Sequence, residues 1–200
     1  MKKFIYLYKN KTNKKLIFDK AGDYIVFLNN SDGIYDFVIN NENINLNIFG
    51  IYMGKKNESF KLSTKQIHKK PNSQSNLFIK GVFNDKSYFK FNGLIRVEKD
   101  AKKTNAFQKN QNLNLSDNAV VEAKPDLEIL TDDVFCTHAA TTSNLNKESI
   151  NYLNSRSLDF EKSKKLLVYG FINEVVDKIK NDFDKKTLTN INSQIKNFLL

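Results

Sequence analysis

The sequence has few of the residues that mark disulfide-stapled or membrane-bound proteins. Its 200 residues include one cysteine, two histidines, two prolines and no tryptophan. A single cysteine excludes an internal disulfide, which agrees with a reducing compartment. No stretch approaches the eighteen or so apolar residues of a membrane span, and lysines interrupt the first residues too soon for a secretory signal. We therefore expect a protein of the cytoplasm, or of a plastid-like organelle stroma in a eukaryote, with no membrane partner.

Arginine is scarce, although the chain is basic. The net charge is +10, yet Arg96 and Arg156 are the only arginines and the lysines are scattered from Lys2 to Lys196. No recognition-helix, RNP or zinc-finger spacing is present, so a solvated basic surface is a better interpretation than nucleic-acid binding. Phosphate-binding loops of the Walker type and the HExxH, GxSxG and EF-hand motifs are also missing. We expect neither a nucleic-acid partner nor a nucleotide bound by this chain.

Short segments rich in β-branched and aromatic residues fill the chain from Lys15 to about Thr142. Asn, Asp, Ser and Gly separate them, and these residues tolerate the left-handed conformations of tight turns. The predicted strands include 16–18, 24–28, 35–39, 44–48, 60–62, 76–83 and 88–97. So many short strands leave a sandwich, a barrel or a β-helix open, and the frequent Asn turns slightly favour the β-helix.

A helical pattern replaces the strands after Thr142. Apolar residues recur at spacings of three and four, which predicts two helices and a third over 188–199. Asp159 is a predicted N-cap, with Glu161 in the first turn of the second helix and Lys178 near its end. We divide the chain into a strand-rich core, 1–145, and a helical region, 146–200, which either caps the core or docks a partner.

Cys136 and His138 are the residues best suited to chemistry. On a strand, residues two apart share a face, so a thiolate and an imidazole could converge on one transition-metal ion or cluster atom. Two ligands do not complete a four-ligand site, and His68 is distant in sequence, so a self-contained site would need carboxylates or a second chain. The alternative is that Cys136 serves only as a small buried hydrophobic residue.

Enzymatic chemistry has little support in the sequence. Asp132 and Asp133 are adjacent, and adjacent side chains of a strand point to opposite faces, so they make a poor acid–base pair. A hydrolase built on Cys136 and His138 would also need an oxyanion hole, and the sequence contains no recognisable motif for one. We expect a protein that is not an enzyme. A hydrolase or lyase would require three or more carboxylates converging in a cleft.

Several ordered motifs between residues 93 and 179 resemble the SufB/SufD family of iron–sulfur cluster assembly proteins. The stretch 101–113 is close to the family pattern AQKTDAYQxNxNL, and 152–156 and 166–171 resemble its YLRSRG and LLxxGF helices. The other landmarks are 93–97, 115–117, 124–129 and 132–141. Around His68 and Lys80 the likeness extends upstream to about residue 67.

The resemblance implies a mainly β fold, namely a right-handed parallel β-helix followed by a small C-terminal α-helical region. It also implies a non-catalytic scaffold subunit of the SUF complex. Such a subunit would pair with a SufB-like chain through the β-helix and dock a SufC-like ABC ATPase through the C-terminal helices. A nascent iron–sulfur cluster would form transiently at the interface shared by the two β-helices.

The resemblance also assigns residues. His138 corresponds to the functional histidine of the SufD branch, and Cys136 falls on the neighbouring family cysteine. Both are expected at the cluster-assembly interface, as metal ligands of a site that a partner chain would complete. The residues expected to dock the ATPase are Tyr152, Arg156, Leu167, Gly170 and Phe171.

The SufD branch fits better than the SufB branch, because Cys136-Thr137-His138 replaces the HEATTS-like motif of SufB. The stretch 140–143 resembles SufB, so an atypical homodimeric member of the family is an alternative. A structural or binding solenoid with a degenerate site is another. Ala139, Asn154 and Ser157 depart from the family pattern, and the first two put the site and the ATPase contact in doubt. The resemblance further implies a short form without the family's N-terminal helical region.

Overall fold

The computed structural model describes residues 2–200, which form a parallel β-solenoid followed by three helices. The strands are β1 Lys3–Tyr8, β2 Lys14–Phe18, β3 Gly22–Asn29, β4 Gly33–Ile39, β5 Ile44–Gly54, β6 Ser59–His68, β7 Gln74–Phe83, β8 Tyr88–Val97, β9 Thr104–Asn114, β10 Val120–Ile129 and β11 Val134–Asn144. The helices are α1 Lys147–Asn154, α2 Phe160–Ile179 and α3 Lys185–Leu199.

Successive strands alternate between two parallel sheets. Sheet A has the order β1-β3-β5-β7-β9-β11, and sheet B has the order β10-β8-β6-β4-β2. Each coil therefore contributes one strand to each sheet. The coils lengthen along the chain: Lys3 aligns with Tyr24, 21 residues on, whereas Asn45 aligns with Gln74, 29 residues on. The predicted parallel β-solenoid is confirmed, and its handedness stays a prediction.

The interior of the solenoid is built by strict alternation of inward and outward side chains. Along β8 every second residue is buried, from Phe89 to Val97. In-register parallel pairing stacks these inward residues into columns that run from coil to coil. The first three coils fill their columns with large apolar groups such as Tyr35, Phe37 and Leu46, all fully buried. Burial of these side chains is the main force that holds the coils together.

Left-handed residues turn the chain at the corners of the solenoid. Asn43, Asn72 and Lys103 each precede a strand of sheet A, Gly22 is the first residue of β3, and all four have positive φ. These corners stack: the backbone N–H of Asn43 donates to the carbonyl of Asn72, one coil on. Asn adopts this conformation more readily than most residues with a side chain. The sequence-based interpretation of the Asn-rich segments as turns is confirmed at Asn43 and Asn72.

The three helices begin at side-chain caps. The Asp159 carboxylate accepts a hydrogen bond from the backbone N–H of Lys162, which confirms the predicted N-cap of α2. Asn146 and Asp184 cap α1 and α3 in the same way. Helix α3 begins three residues before the predicted 188. Such caps satisfy N–H groups that a helix start leaves without internal partners.

Helices α2 and α3 cover part of the outer face of sheet A. Val168, Ile172 and Ile195 pack there against strand residues such as Phe27 and Val82, in one buried cluster. The change from strand to helix falls between Asn144 and Lys147. Because strands and helices share this core, the division into units 1–145 and 146–200 stays a prediction.

Buried polar contacts fasten both helices to sheet A. The Lys80 ammonium on β7 pairs with the Glu174 carboxylate of α2, and it lies 4.1 Å from the centre of the Phe171 ring. On β3, the Asn29 amide donates to the Gln194 side-chain oxygen of α3 over 2.9 Å. Specific polar pairs therefore fix where the helices sit on the apolar face.

One strand lies outside the predicted strand region. Strand β1, Lys3–Tyr8, precedes Lys15, where the sequence pattern was expected to begin. It pairs in parallel with β3. This long-range pairing, rather than a local sequence pattern, explains why residues 3–8 form a strand. None of the helices in residues 2–200 is long and apolar enough to cross a membrane.

Candidate functional site at the open edge

Strands β10 and β11 form the last coil, and we call these two strands the open edge. Strand β11 pairs with β9, and β10 pairs with β8, so each lies at the end of its sheet. The backbone groups on the outer side of both strands therefore point away from the sheets. A row of such groups is a template on which another β-strand can pair.

Apolar side chains surround the open edge. Leu127 and Ile129 align with the buried Ile95 and Val97, so they occupy inward positions of the solenoid. With no further coil above them in the chain, they stay 38% and 39% exposed. The apolar rim, as we call the exposed apolar residues of this coil, consists of Val120, Leu127, Ile129, Leu130 and Phe135. Exposed apolar residues at the end of a sheet are candidates for an interaction surface.

Cys136 lies on β11 at an inward position. It aligns with Ala106 and packs against the small cluster of Ile95, Val97 and Ala101. Burial raises the pKa of its thiol, and a backbone hydrogen bond to Ala106 opposes the shift only in part. The free chain therefore holds Cys136 as a half-buried neutral thiol. Metal binding would require its deprotonation.

His138 is the next inward residue of β11 and is exposed. It aligns with the buried Gln108 of β9. Because Cys136 and His138 are two residues apart on a regular strand, both side chains leave the same face of β11. The structure thus brings together the two predicted site residues, on an edge strand beside the apolar rim. Within residues 2–200, no three His, Cys, Asp or Glu side chains cluster as a metal site.

The other chemically suggestive residues lie elsewhere. His68 is fully buried inside the solenoid on β6, where its Nε2 contacts the Ser75 hydroxyl at 2.8 Å. Asp132 and Asp133 are exposed in the turn between β10 and β11. None of the three shares the inward face of β11 with Cys136 and His138. Burial lowers the pKa of His68 to about 4, so its ring is neutral at neutral pH.

The residues expected to dock an ATPase divide between two environments. Tyr152 and Arg156 are exposed on and just after α1, and the guanidinium carbon lies 4.7 Å from the ring centre. Gly170 is exposed on α2, and a Cβ there would meet nothing within 4 Å. Leu167 is partly buried, and Phe171 packs inward against Lys80. Phe171 thus contacts the solenoid, whereas Tyr152, Arg156 and Gly170 line the outer surface.

Sequence reasoning missed two sets of residues. It did not single out the apolar rim, although apolar residues at inward positions of the last strands would have indicated it. It also missed three exposed apolar residues of α2, namely Phe160, Leu166 and Tyr169. The signal for these was their position off the stripe that includes the buried Val168 and Ile172.

Residues 31–171 match the family described as "SUF system FeS cluster assembly, SufBD core domain". The match covers well over half of the chain. The chain therefore belongs to the SufBD core family of the SUF system of iron–sulfur cluster assembly.

Individual relatives agree with this assignment. The chain is 35% identical to the iron–sulfur cluster assembly protein SufD of Escherichia coli over 144 residues, 72% of this chain and 34% of that protein. It is 32% identical to SufD of Bacillus subtilis over 70% of this chain and 32% of the relative. It is 38% identical to the chloroplastic protein ABCI7 of Arabidopsis thaliana over 46% of this chain and 19% of the relative. The chain thus spans about a third of the length of the two SufD relatives.

Proposed function

We propose that this chain is a non-catalytic scaffold subunit of a SUF iron–sulfur cluster assembly complex. In this proposal the open edge pairs with a SufB-like chain, and the outer surface of α1 and α2 docks a SufC-like ATPase. A nascent cluster is the cargo, and it forms transiently where the two solenoids meet. The proposed location is the cytoplasm or an organelle stroma.

One observation carries the proposal: the two candidate ligands lie on an edge strand that is bordered by exposed apolar residues. A strand of a partner can extend sheet A by pairing with β11. The same approach would bury the apolar rim and bring partner side chains to Cys136 and His138. Pairing and completion of the site would therefore occur in one step.

The chemistry of the two residues suits an iron–sulfur species. Thiolate sulfur is the usual ligand of iron in such clusters, and imidazole replaces it in some of them. A tetrahedral iron needs four ligands, so two from this chain leave two for bridging sulfide or partner side chains. His138 is the stronger candidate ligand, because it is exposed, whereas Cys136 packs against apolar neighbours.

The proposed ATPase surface combines exposed aromatic and aliphatic groups with one stacked cation. Tyr152, Phe160, Leu166 and Tyr169 are all at least 39% exposed. Arginine stacked on tyrosine, as at Arg156, is typical of residues that contribute strongly to protein interfaces. These features support docking through the outer face of α1 and α2, with Phe171 instead holding α2 on the solenoid.

Co-expression with a SufB-like and a SufC-like chain tests the proposal. A stable complex of the three is expected on purification, and its absence would refute the scaffold role. Leu127→Asp at the rim is expected to release the SufB-like chain alone. Tyr152→Ala combined with Arg156→Ala is expected to release the SufC-like chain alone. If either variant releases both partners or neither, the assignment of surfaces is wrong.

His138→Ala tests the site separately from assembly. The variant is expected to form the complex normally and to reduce cluster formation, followed by the visible absorption of the cluster. Thr137→Ala is the matched control, because Thr137 is an exposed neighbour that points to the opposite face of β11. Equal cluster formation by both variants would indicate a degenerate site.

A binding solenoid with a degenerate site is the second candidate. The packing of Cys136 against Ile95 and Val97 favours it, since this is the environment of a structural cysteine. In that case Cys136→Ala and His138→Ala would both leave cluster formation unchanged while the complex persists. A homodimer formed without a SufB-like chain would instead support an atypical homodimeric scaffold.

A further inference from the structure

In the coils of β6 to β9, polar residues replace part of the apolar interior of the solenoid. The inward polar residues there include five that are each at most 2% exposed: Thr64, Gln66, His68, Ser75 and Gln108. The corresponding positions of the earlier coils hold apolar side chains such as Leu46 and Val26. We call the five residues the polar core. A buried polar group is stabilised only when it has hydrogen-bond partners.

Ser75 connects two members of the polar core. The Gln66 amide nitrogen donates to the Ser75 hydroxyl over 2.7 Å. The Ser75 hydroxyl lies 2.8 Å from Nε2 of His68, and we assign the hydroxyl as the donor because it already accepts from Gln66. An accepting Nε2 means that the neutral ring carries its proton on Nδ1. His68 therefore has one buried donor, the Nδ1–H group, that needs an acceptor.

Unsatisfied groups concentrate in the polar core. Over residues 2–200, ten buried side-chain nitrogen or oxygen atoms have no hydrogen-bond partner. Half of the ten belong to this cluster: Thr64 Oγ1, Gln66 Oε1, His68 Nδ1, Gln108 Nε2 and Gln108 Oε1. They include both donors and acceptors, but they do not bond to one another directly.

Two of the side chains with unsatisfied groups, Gln108 and Thr64, are neighbours in space. The Gln108 amide packs onto the backbone of Gly93, in the space that a Cβ would fill. Gly93 aligns with Thr64 on the adjacent strand, which brings the Thr64 hydroxyl next to this amide. Small inward residues, Ser75 and Ala106, lie on the facing sheet, and they leave more room than the large side chains of the first coils.

We propose that the polar core binds internal water molecules. One water bridges the Gln108 amide to the Thr64 hydroxyl, and a separate water accepts from Nδ1 of His68. Buried waters typically make about three hydrogen bonds to protein groups, and they need mixed donors and acceptors of the kind present here. A neutral set of amide, hydroxyl and imidazole groups suits water rather than an ion. The water site begins one strand below His138, because Gln108 is its register partner, and it does not depend on the proposed function.

The sign of a stability change tests the proposal. Thr64→Val keeps the side-chain shape and removes only the hydroxyl. If water binds Thr64, the variant leaves that water with one partner fewer, and its Tm is expected to fall by about 2–4 °C. If the cluster is dry, the variant removes an unsatisfied buried group and its Tm rises, which would overturn the proposal.

Thr104→Val is the matched control, because Thr104 is equally buried and its hydroxyl donates directly to the Ala101 carbonyl over 2.8 Å. It shows the fall in Tm for a threonine whose partner is known. Gln108→Met, which keeps length but removes the amide, serves as a second test and is also expected to lower the Tm. Thr64→Val with a Tm at or above that of the parent chain refutes the water site.

An atomic-resolution crystal structure of the full chain provides a test that does not depend on variants. Ordered water within hydrogen-bond distance of Thr64 Oγ1 and the Gln108 amide is the expected result. A direct hydrogen bond between the two side chains, or no density between them, would contradict the proposal even if the variants failed to fold.

Discussion

The body of the solenoid, meaning the coils before β10, and its open edge are built from the same repeating unit. They differ in what covers their inward residues. In the body, the next coil covers each inward residue, and α2 and α3 cover part of the outer face of sheet A. At the open edge, Leu127 and Ile129 occupy inward positions without a coil above them. Stability therefore resides in the body, and the surface that we propose for binding lies at the edge.

The comparison teaches that position in the stack decides the role of a residue more than its type does. Ile95 and Leu127 are register partners at inward positions of sheet B, but Ile95 is fully buried and Leu127 is 38% exposed. Cys136 and His138 likewise become candidate ligands because β11 is the last strand of its sheet. On an inner strand, the same two residues would be buried and would serve only to pack the interior.

The largest expected effect is the loss of a buried aromatic ring from the body. Phe37→Ala is expected to lower the free energy of unfolding by about 3–5 kcal/mol, because it leaves a cavity between coils. Phe135→Ala, the matched change at the edge, is expected to cost less than about 1 kcal/mol, from its contact with Phe107. Urea unfolding at equilibrium measures both. Similar losses for the two variants would abolish the distinction between body and edge.

The next effect concerns the ion pair that holds α2 on sheet A. Glu174→Gln removes the charge that faces the buried Lys80 ammonium, and it is expected to cost about 1 kcal/mol in urea unfolding. The carboxylate is half exposed, so solvent screening keeps the effect below that of a fully buried pair. Asp177→Asn on the exposed side of α2 is the control, with an expected change below about 0.5 kcal/mol.

The same ion pair gives a pH dependence with a definite sign. Lys80 lowers the pKa of Glu174, with Lys109 and Lys178 contributing. The stabilisation is therefore present above the ordinary pKa of a glutamate, and it is lost as the pH falls through the lowered folded pKa. The difference in stability between the parent chain and Glu174→Gln should vanish in that acidic range. A difference that grows on acidification would contradict the pair.

A smaller effect is expected at the start of α2. Asp159→Ala removes the carboxylate that accepts from the backbone N–H of Lys162, and it is expected to lower the midpoint of urea unfolding by a small but measurable amount. Asp132→Ala, an exposed carboxylate in the turn before β11, is the control and should change stability little. If both changes cost the same, the cap does not stabilise α2.

The smallest effect is on the reactivity of Cys136. Because burial raises the pKa of the thiol, less of it is thiolate at a given pH, and only the thiolate reacts with iodoacetamide. The midpoint of the alkylation rate against pH is expected above that of the same chain unfolded in urea. A midpoint at or below that of the unfolded chain would show that Cys136 at the edge is not shielded.

Local patterns predicted much of the fold and less of the site. The alternation of Phe89 to Val97 and the cap at Asp159 are local signals, so both were predictable from the sequence. Strand β1 and the exposure of Leu127 were not, since each depends on which coil lies beside it. The pairing of Cys136 with His138 on one face followed from strand geometry. The shielding of the thiol by Ile95 and Val97 required the three-dimensional stacking of coils.

The connection between β11 and α1 has a mechanical consequence. Two residues separate Asn144, the last residue of β11, from Lys147, the first residue of α1. A force applied to α1 along the strand would load all eleven registered pairs of β11 and β9 together, in shear. The same force applied across the strand would peel those pairs apart one after another, starting at Asn144. The direction of pull on α1 thus decides whether the strand that carries His138 holds firm or unzips.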